Sequence, residues 1–199
     1  MAETKRDASL GRFLSLVLRP QPEAAFIALD RHGWADVDAL LAGCARAGKP
    51  LTRQDLERIV RENSKQRYRF NDDKTRIRAN QGHSVPVELE LREAAPPPVL
   101  YHGTALRFLE SIRKNGITRQ SRQQVHLSAT LETAWQVGAR HGVPVVLPVD
   151  AAAMAADGHA FWLSDNGVWL CREVPWRYII EGEIIYNGGR CKAGAVRRC

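Results

Sequence analysis

The sequence is short of acid. Its 22 aspartates and glutamates stand against 29 lysines and arginines, a formal charge of +7. That balance favours encounter with a polyanion. The four cysteines form no C-x-x-C pair and no zinc spacing. Neither a disulfide framework nor a structural metal is indicated, and a reduced compartment fits. No apolar run approaches the roughly 18 residues that a membrane helix needs. The opening MAETKRDASLGRF lacks the apolar core of a secretory leader, so the expectation is a cytoplasmic protein without membrane contact. Also missing are G-x-G-x-x-G, a P-loop, H-E-x-x-H and a nucleophile elbow. The fingerprints of the common nucleotide folds, zinc proteases and α/β-hydrolases are therefore absent.

What is present is basic and clustered. Lys65, Arg67, Arg69, Lys74, Arg76 and Arg78 face only Asp72 and Asp73 over one short stretch, and Arg107, Arg113, Lys114, Arg119 and Arg122 face Glu110 over another. A single such run is usually a solvated face, but two in separate regions favour an anionic partner. Between the two runs lies REAAPPPV, whose three prolines suit a stiff connector and no helix or central strand. It divides the chain into residues 1–94 and 95–199, and the whole reads as α+β.

The first part predicts helices and then a hairpin. Phe13, Leu14, Leu16, Val17 and Leu18 make an apolar stripe ended by Pro20 and Pro22. Asp36 caps a helix through VDALLAGCARAG, which makes Cys44 a small core residue. Thr52 and Asp55 open another helix as a near-capping box. RYRF, the turn NDDK and RIRA then form a β-hairpin. Helices followed by a basic hairpin make a winged-helix pattern, which by analogy presents its hairpin to nucleic acid. The second part is strand-rich: VLYHGT breaking at Gly103, QVHLSAT, PVVLPVD and AFWLSDNGVWLC, with helices LRFLESIRKNG and LETAWQVGARHG, the latter ending at Gly142. The final GGRCKAGAVRRC reads as a basic tail.

Two segments repeat one chemistry. YHGT and VHLS each place a histidine in an apolar strand with a hydroxyl residue two positions on. Alternation sets His102 with Thr104, and His126 with Ser128, on one strand face. Singly, each histidine is more often a satisfied structural residue. As a repeated pattern they line a polar cleft suited to a ribose or an amide, with Gly103 letting a ligand approach the backbone.

These segments carry a family resemblance. LSLVLRPQP, HGWADVDALL, KQRYRF, RIRANQGHS, LYHGT, RQQVHLS, RHGVPVVL and NGVWLCREVP run in order over about residues 10–180. The chain resembles the RNA 2′-phosphotransferase family, the NAD-dependent tRNA 2′-phosphotransferases. The resemblance implies an N-terminal winged-helix-like RNA-binding lobe and an ADP-ribosyltransferase-like NAD-binding lobe. It implies NAD as co-substrate, no metal, and a tRNA-like RNA carrying a 2′-phosphate, as in tRNA splicing, acted on by a monomer. It also implies two steps: ADP-ribosylation of the 2′-phosphate with release of nicotinamide, then transesterification. The products are RNA with a 2′-hydroxyl and ADP-ribose 1″,2″-cyclic phosphate.

Residue by residue, the family's catalytic arginines fall on Arg19, Arg67 and Arg122. Pro20 stands where the family has a histidine, and Gln124 where many members have one. On the NAD side the resemblance implies His102, Gly103, Thr104, His126 and Ser128. On the RNA side it leaves Arg69, Arg76 and Arg78 to position phosphates, with Gln81 and His83 shaping the cleft. Trp34 and Trp169 are read as core aromatics. Two other readings stay open at this point. One is an ADP-ribosyltransferase acting on terminal phosphates of RNA or DNA, and the other a non-catalytic RNA-binding module.

Overall fold

The computed structural model describes residues 5–63, 65–186 and 189–190 and divides into two units, Met1–Glu90 and Leu91–Cys199. The expected basic tail lies outside the described residues apart from Gly189–Arg190. Residues 91–94 belong to the second unit, not the first. Arg92–Glu93 pair with Trp162–Leu163, and the Ala94 N–H donates to the Phe161 carbonyl at 3.0 Å. Among the described residues no helix is long and apolar enough to cross a membrane. The chain is α+β, with six α-helices and several antiparallel sheets among the described residues.

In the first unit, α1 (Lys5–Val17) ends before Pro20. β1 (Trp34–Asp36) leads into α2 (Val37–Arg46), where the Asp36 carboxylate accepts from the Ala39 N–H. α3 (Arg53–Glu62) starts on a full capping box between Thr52 and Asp55. β2 (Tyr68–Phe70) and β3 (Arg76–Ala79) form the expected hairpin, and β1 adds to it in the order β1-β3-β2. The inner sheet face supplies Ala35, Ile77, Tyr68 and Ala79 to a core with Leu14, Val17, Leu40 and Leu56. Arg58 ties α3 to α1 through two 2.8 Å bonds to the Asp7 carboxylate. Tyr68 Oη donates to the Gly11 carbonyl at 2.6 Å and bonds Ser15.

In the second unit, β4 (Arg92–Glu93), β5 (Val99–Ala105), α4 (Leu109–Asn115) and β6 (Ile117–Thr118) are followed by β7 (Val125–Leu127), α5 (Leu131–Gly138) and β8 (Pro144–Asp150). Then come α6 (Ala151–Ala156), β9 (Trp162–Leu163), β10 (Trp169–Cys171), β11 (Glu173–Val174), β12 (Ile185–Tyr186) and β13 (Gly189–Arg190). Two four-stranded sheets, β13-β12-β8-β5 and β4-β9-β10-β7, meet at a bridge between Tyr101 and Ser128. Leu100, Leu127, Val145, Leu147, Phe161 and Val174 fill the core, and Trp169 packs against it.

Two expectations change here. β5 runs through Gly103 to Ala105, and α5 stops at Gly138, not Gly142. Both follow from one close contact: a β-carbon on Gly103 would lie 1.7 Å from the Ala134 carbonyl oxygen, and one on Gly138 2.5 Å from that of Thr104. Helix α5 therefore lies directly on β5. Cys44 and Cys171 are buried free thiols, and burial pushes them up to about 11 and about 12. They act as small apolar side chains.

Candidate active site

Each unit holds its own cluster of the residues expected to carry chemistry. In the first, Arg19 is half-buried just beyond the end of α1, beside the loop after β3. A β-carbon on Gly82 would lie 3.7 Å from its guanidinium. His83 follows, only 1% exposed, and neither ring nitrogen has a hydrogen-bond partner among the described residues. Burial, then the charges of Arg19 and Arg78, depress its pKa to about 4. It is neutral at physiological pH and sits beside two guanidiniums.

Arg67 is placed by backbone strain and an asparagine. Gln66, one residue before it, is left-handed at φ 42°. Asn63 Oδ1 accepts from the Arg67 backbone N–H at 3.3 Å and from its Nη1 at 3.4 Å. Asn80 lies across the strand pair, its Nδ2 donating to the Gln66 carbonyl and its backbone N–H to that of Arg67. Sequence reasoning missed Asn63 and Asn80. The one signal was an asparagine just past a helix end, a position that often closes a turn.

The expected RNA-side arginines differ in placement. Register puts Trp34, Arg78 and Arg69 in one cross-strand row of the outer sheet face, with Asp36 and Arg76 in the next. Arg76 is exposed and bonds Asp30 at 3.1 Å. Arg69 is half-buried. Arg78 is only 3% exposed, because residues 81–90 cross over it. There the Glu88 N–H donates to the Arg31 carbonyl at 2.7 Å, and Arg78 bonds the His32 carbonyl. Trp34 is not a core aromatic: it is half-buried on this outer face, with the Arg78 guanidinium 4.6 Å and that of Arg69 5.4 Å from its ring. Gln81 is half-buried at the start of the crossing segment.

The second unit brings Arg122, His126 and His102 together. Gln120, two residues before Arg122, is another left-handed non-glycine, at φ 53°. Arg122 Nη1 donates to His126 Nδ1 at 3.2 Å. A guanidinium only donates, so the proton of a neutral His126 ring sits on Nε2. His102 Nδ1 lies 3.3 Å from the His126 carbonyl, which only accepts, so Nδ1 carries the proton and Nε2 presents a lone pair. Burial, with the charges of Arg122 and His141 adding, depresses the His102 pKa to about 4 against the raising effect of that hydrogen bond. His141 was not expected here. Thr104 is buried and Ser128 half-buried.

Gly103 has two sides with different uses. Its Cα side is filled by α5, so the close approach expected of a ligand is made by a helix. Its peptide edge is another matter. Tyr101 exchanges backbone bonds of 2.9 and 2.8 Å with Ser128. Alternation turns the Gly103 amide and carbonyl toward the same edge, and among the described residues no further bridge joins β5 to β7.

Buried His83 and half-buried His102 fix an expected pH response. Between about pH 6.5 and 4 they bind more protons unfolded than folded, so stability is full above 6.5 and falls as pH drops through that window. Thermal unfolding followed from pH 7 to 4 is expected to show this loss. His83→Gln and His102→Gln are each expected to flatten the slope.

Arginine beside histidine is a donor set chemically suited to phosphate and hydroxyl groups. The family is specific: the model described as "RNA 2'-phosphotransferase, Tpt1 / KptA family" matches residues 5–173, and the chain belongs to that family. Among similar proteins, the "Probable RNA 2'-phosphotransferase" of Pseudomonas paraeruginosa is 55% identical over 171 residues, 85% of this chain and 94% of the relative. That of Fusobacterium nucleatum is 51% identical over 174 residues, 87% of this chain and 97% of the relative. That of Flavobacterium johnsoniae is 52% identical over 171 residues, 86% and 94% respectively.

Proposed function

We propose that the protein removes an internal 2′-phosphate from RNA in an NAD-dependent reaction of two steps, acting as a cytoplasmic monomer on tRNA-like RNA. Family membership is the observation that carries this reading. We further read the first unit as winged-helix-like and the second as ADP-ribosyltransferase-like, each in keeping with its order of elements.

The donor set suits the co-substrate. His102 Nε2 offers a lone pair to a ribose hydroxyl, and the peptide edge of Gly103 offers one donor and one acceptor to a carboxamide. Thr104, His126 and Ser128 are polar neighbours on the same strands. NAD supplies the electrophilic anomeric carbon of its nicotinamide ribose and then the 2″-hydroxyl that takes the phosphate from the RNA, leaving ADP-ribose 1″,2″-cyclic phosphate.

Arg19, Arg67 and Arg122 do the protein's share on the phosphate. A phosphate monoester carries about −1.5 to −2 charges near neutral pH, so it is already a nucleophile and needs placement more than a base. Planar guanidiniums give two-point contacts worth roughly 1.5–3 kcal/mol per charged hydrogen bond. In the second step they offset charge developing around phosphorus. Arg69 and Arg76 position the RNA backbone, while Arg78, Gln81 and His83 hold the loop beside Arg19 in shape.

The test is a short RNA with one internal 2′-phosphate, incubated with protein and NAD and resolved by mass. Conversion to the 2′-hydroxyl RNA is expected. Folded protein that neither releases nicotinamide nor alters the RNA sinks the reading. Accumulation of ADP-ribosylated RNA moves it to a transferase that stops after one step, with Pro20 the first residue to revert to histidine.

A further inference from the structure

The outer sheet face of the first unit carries one aromatic ring among its basic side chains. Trp34 is the only tryptophan before residue 91; Trp135, Trp162, Trp169 and Trp176 all belong to the second unit. A recess of about 320 Å³ opens beside the ring, lined by Ala28, Leu29, Asp30, Trp34, Asp36 and Arg76. The polar groups around it are not equivalent. Asp30 is committed: its Oδ1 accepts from the N–H groups of His32 and Trp34, and its Oδ2 holds Arg76. Asp36 Oδ1 caps α2, while its Oδ2 accepts no hydrogen bond among the described residues.

We propose that this recess holds one unpaired nucleobase of the RNA substrate, stacked on Trp34 with its polar edge on Asp36. The proposal rests on the functional reading only in taking RNA as the substrate. An indole wall stacks any base, and the carboxylate favours an exocyclic amino group, which adenine, cytosine and guanine carry, over uracil, whose one donor is its ring N3–H. Charge identifies the occupant as part of a polyanion. Guanidiniums 4.6 and 5.4 Å from the ring disfavour a cationic guest, and Arg69, Lys74 and Arg76 add positive charge for the flanking phosphates, Arg76 from its bond to Asp30 and Lys74 from its pairing with Glu57 at 3.8 Å. Among these, only Arg76 is also a wall of the recess.

The test is a cycle that changes protein and substrate together. The 2′-phosphorylated RNA is made as a series in which each nucleotide near the phosphate is abasic in turn, and kcat/KM is measured for wild type, Trp34→Phe and Trp34→Ala. On intact RNA, Trp34→Ala is expected to lower kcat/KM about 10- to 100-fold, the size of one base–aromatic stack, and Trp34→Phe to retain most of it. At one position the abasic RNA should show the same loss with wild type and no further loss with Trp34→Ala. Asp36→Asn keeps an N-cap acceptor and is expected to weaken the preference for amine-bearing bases at that position alone. Equal losses on intact and abasic RNA at every position would overturn the proposal, since a purely structural role damages all substrates alike. A loss confined to the KM for NAD would overturn it in favour of the co-substrate's adenine. If wild type turns over none of these RNAs, the functional reading fails, and the same cycle run on Kd decides the recess separately.

Discussion

Replacing Arg122 with alanine is expected to lower kcat at least a hundredfold, the usual cost of removing one preorganised charge-stabilising donor. The side chain is exposed and donates to His126 Nδ1 at 3.2 Å. The thermal midpoint should therefore stay within a few degrees of wild type, which separates a chemical loss from a folding one. Arg122→Lys is expected to recover little, because a point charge cannot make the two-point contact of a planar guanidinium. Single-turnover analysis by mass adds a second readout. If Arg122 acts mainly when the phosphate leaves the RNA, the variant should accumulate ADP-ribosylated RNA. Turnover within threefold of wild type would remove Arg122 from the catalytic set.

Gly103→Ala is expected to be the most damaging small substitution for the second unit. Its β-carbon would lie 1.7 Å from the Ala134 carbonyl oxygen and 3.0 Å from the Gly138 nitrogen, both backbone atoms that cannot rotate away. Overpacking usually costs about 1–3 kcal/mol, occasionally more, and a clash with helix backbone belongs at or above the upper end. Roughly 3 kcal/mol corresponds to a fall in Tm of about 10 °C or more in a domain near 100 residues. Calorimetry on the full chain checks it, since the lower transition should belong to the second unit while the first is unchanged. A midpoint unmoved by the alanine would mean that α5 shifts freely on β5.

Local patterns were readable in the sequence, and non-local ones were not. Asp36 and the Thr52–Asp55 box start helices where their spacing predicts, because a cap acts over three residues. The hairpin of β2 and β3 was legible for the same reason. β1 was not, since its partner lies some forty residues on, at Trp34↔Arg78. That one missing strand is why Trp34 was read as core: with no third strand there was no outer face for it to occupy. Gly103 and Gly138 follow the same logic, as the pairing of a strand with the helix that covers it leaves no trace in either segment alone. Chemistry was legible as residue type and only partly as place. His102 and His126 do share one cluster with Arg122, whereas Arg78, read as positioning RNA phosphates, is buried at 3% exposure.

Folding order follows from the longest strand pairing. β5 and β8 match residue for residue from Val99↔Asp150 to Ala105↔Pro144, with everything from 106 to 143 looped between them. The chain must close that loop before the pairing returns any stabilisation, so contacts of this separation form slowly. A ribosome would have to release Pro144–Asp150 before β5 gained its neighbour, long after the capped helices of the first unit had emerged. His102, Gly103 and Thr104 thus gain their strand partner only after some forty further residues have been made.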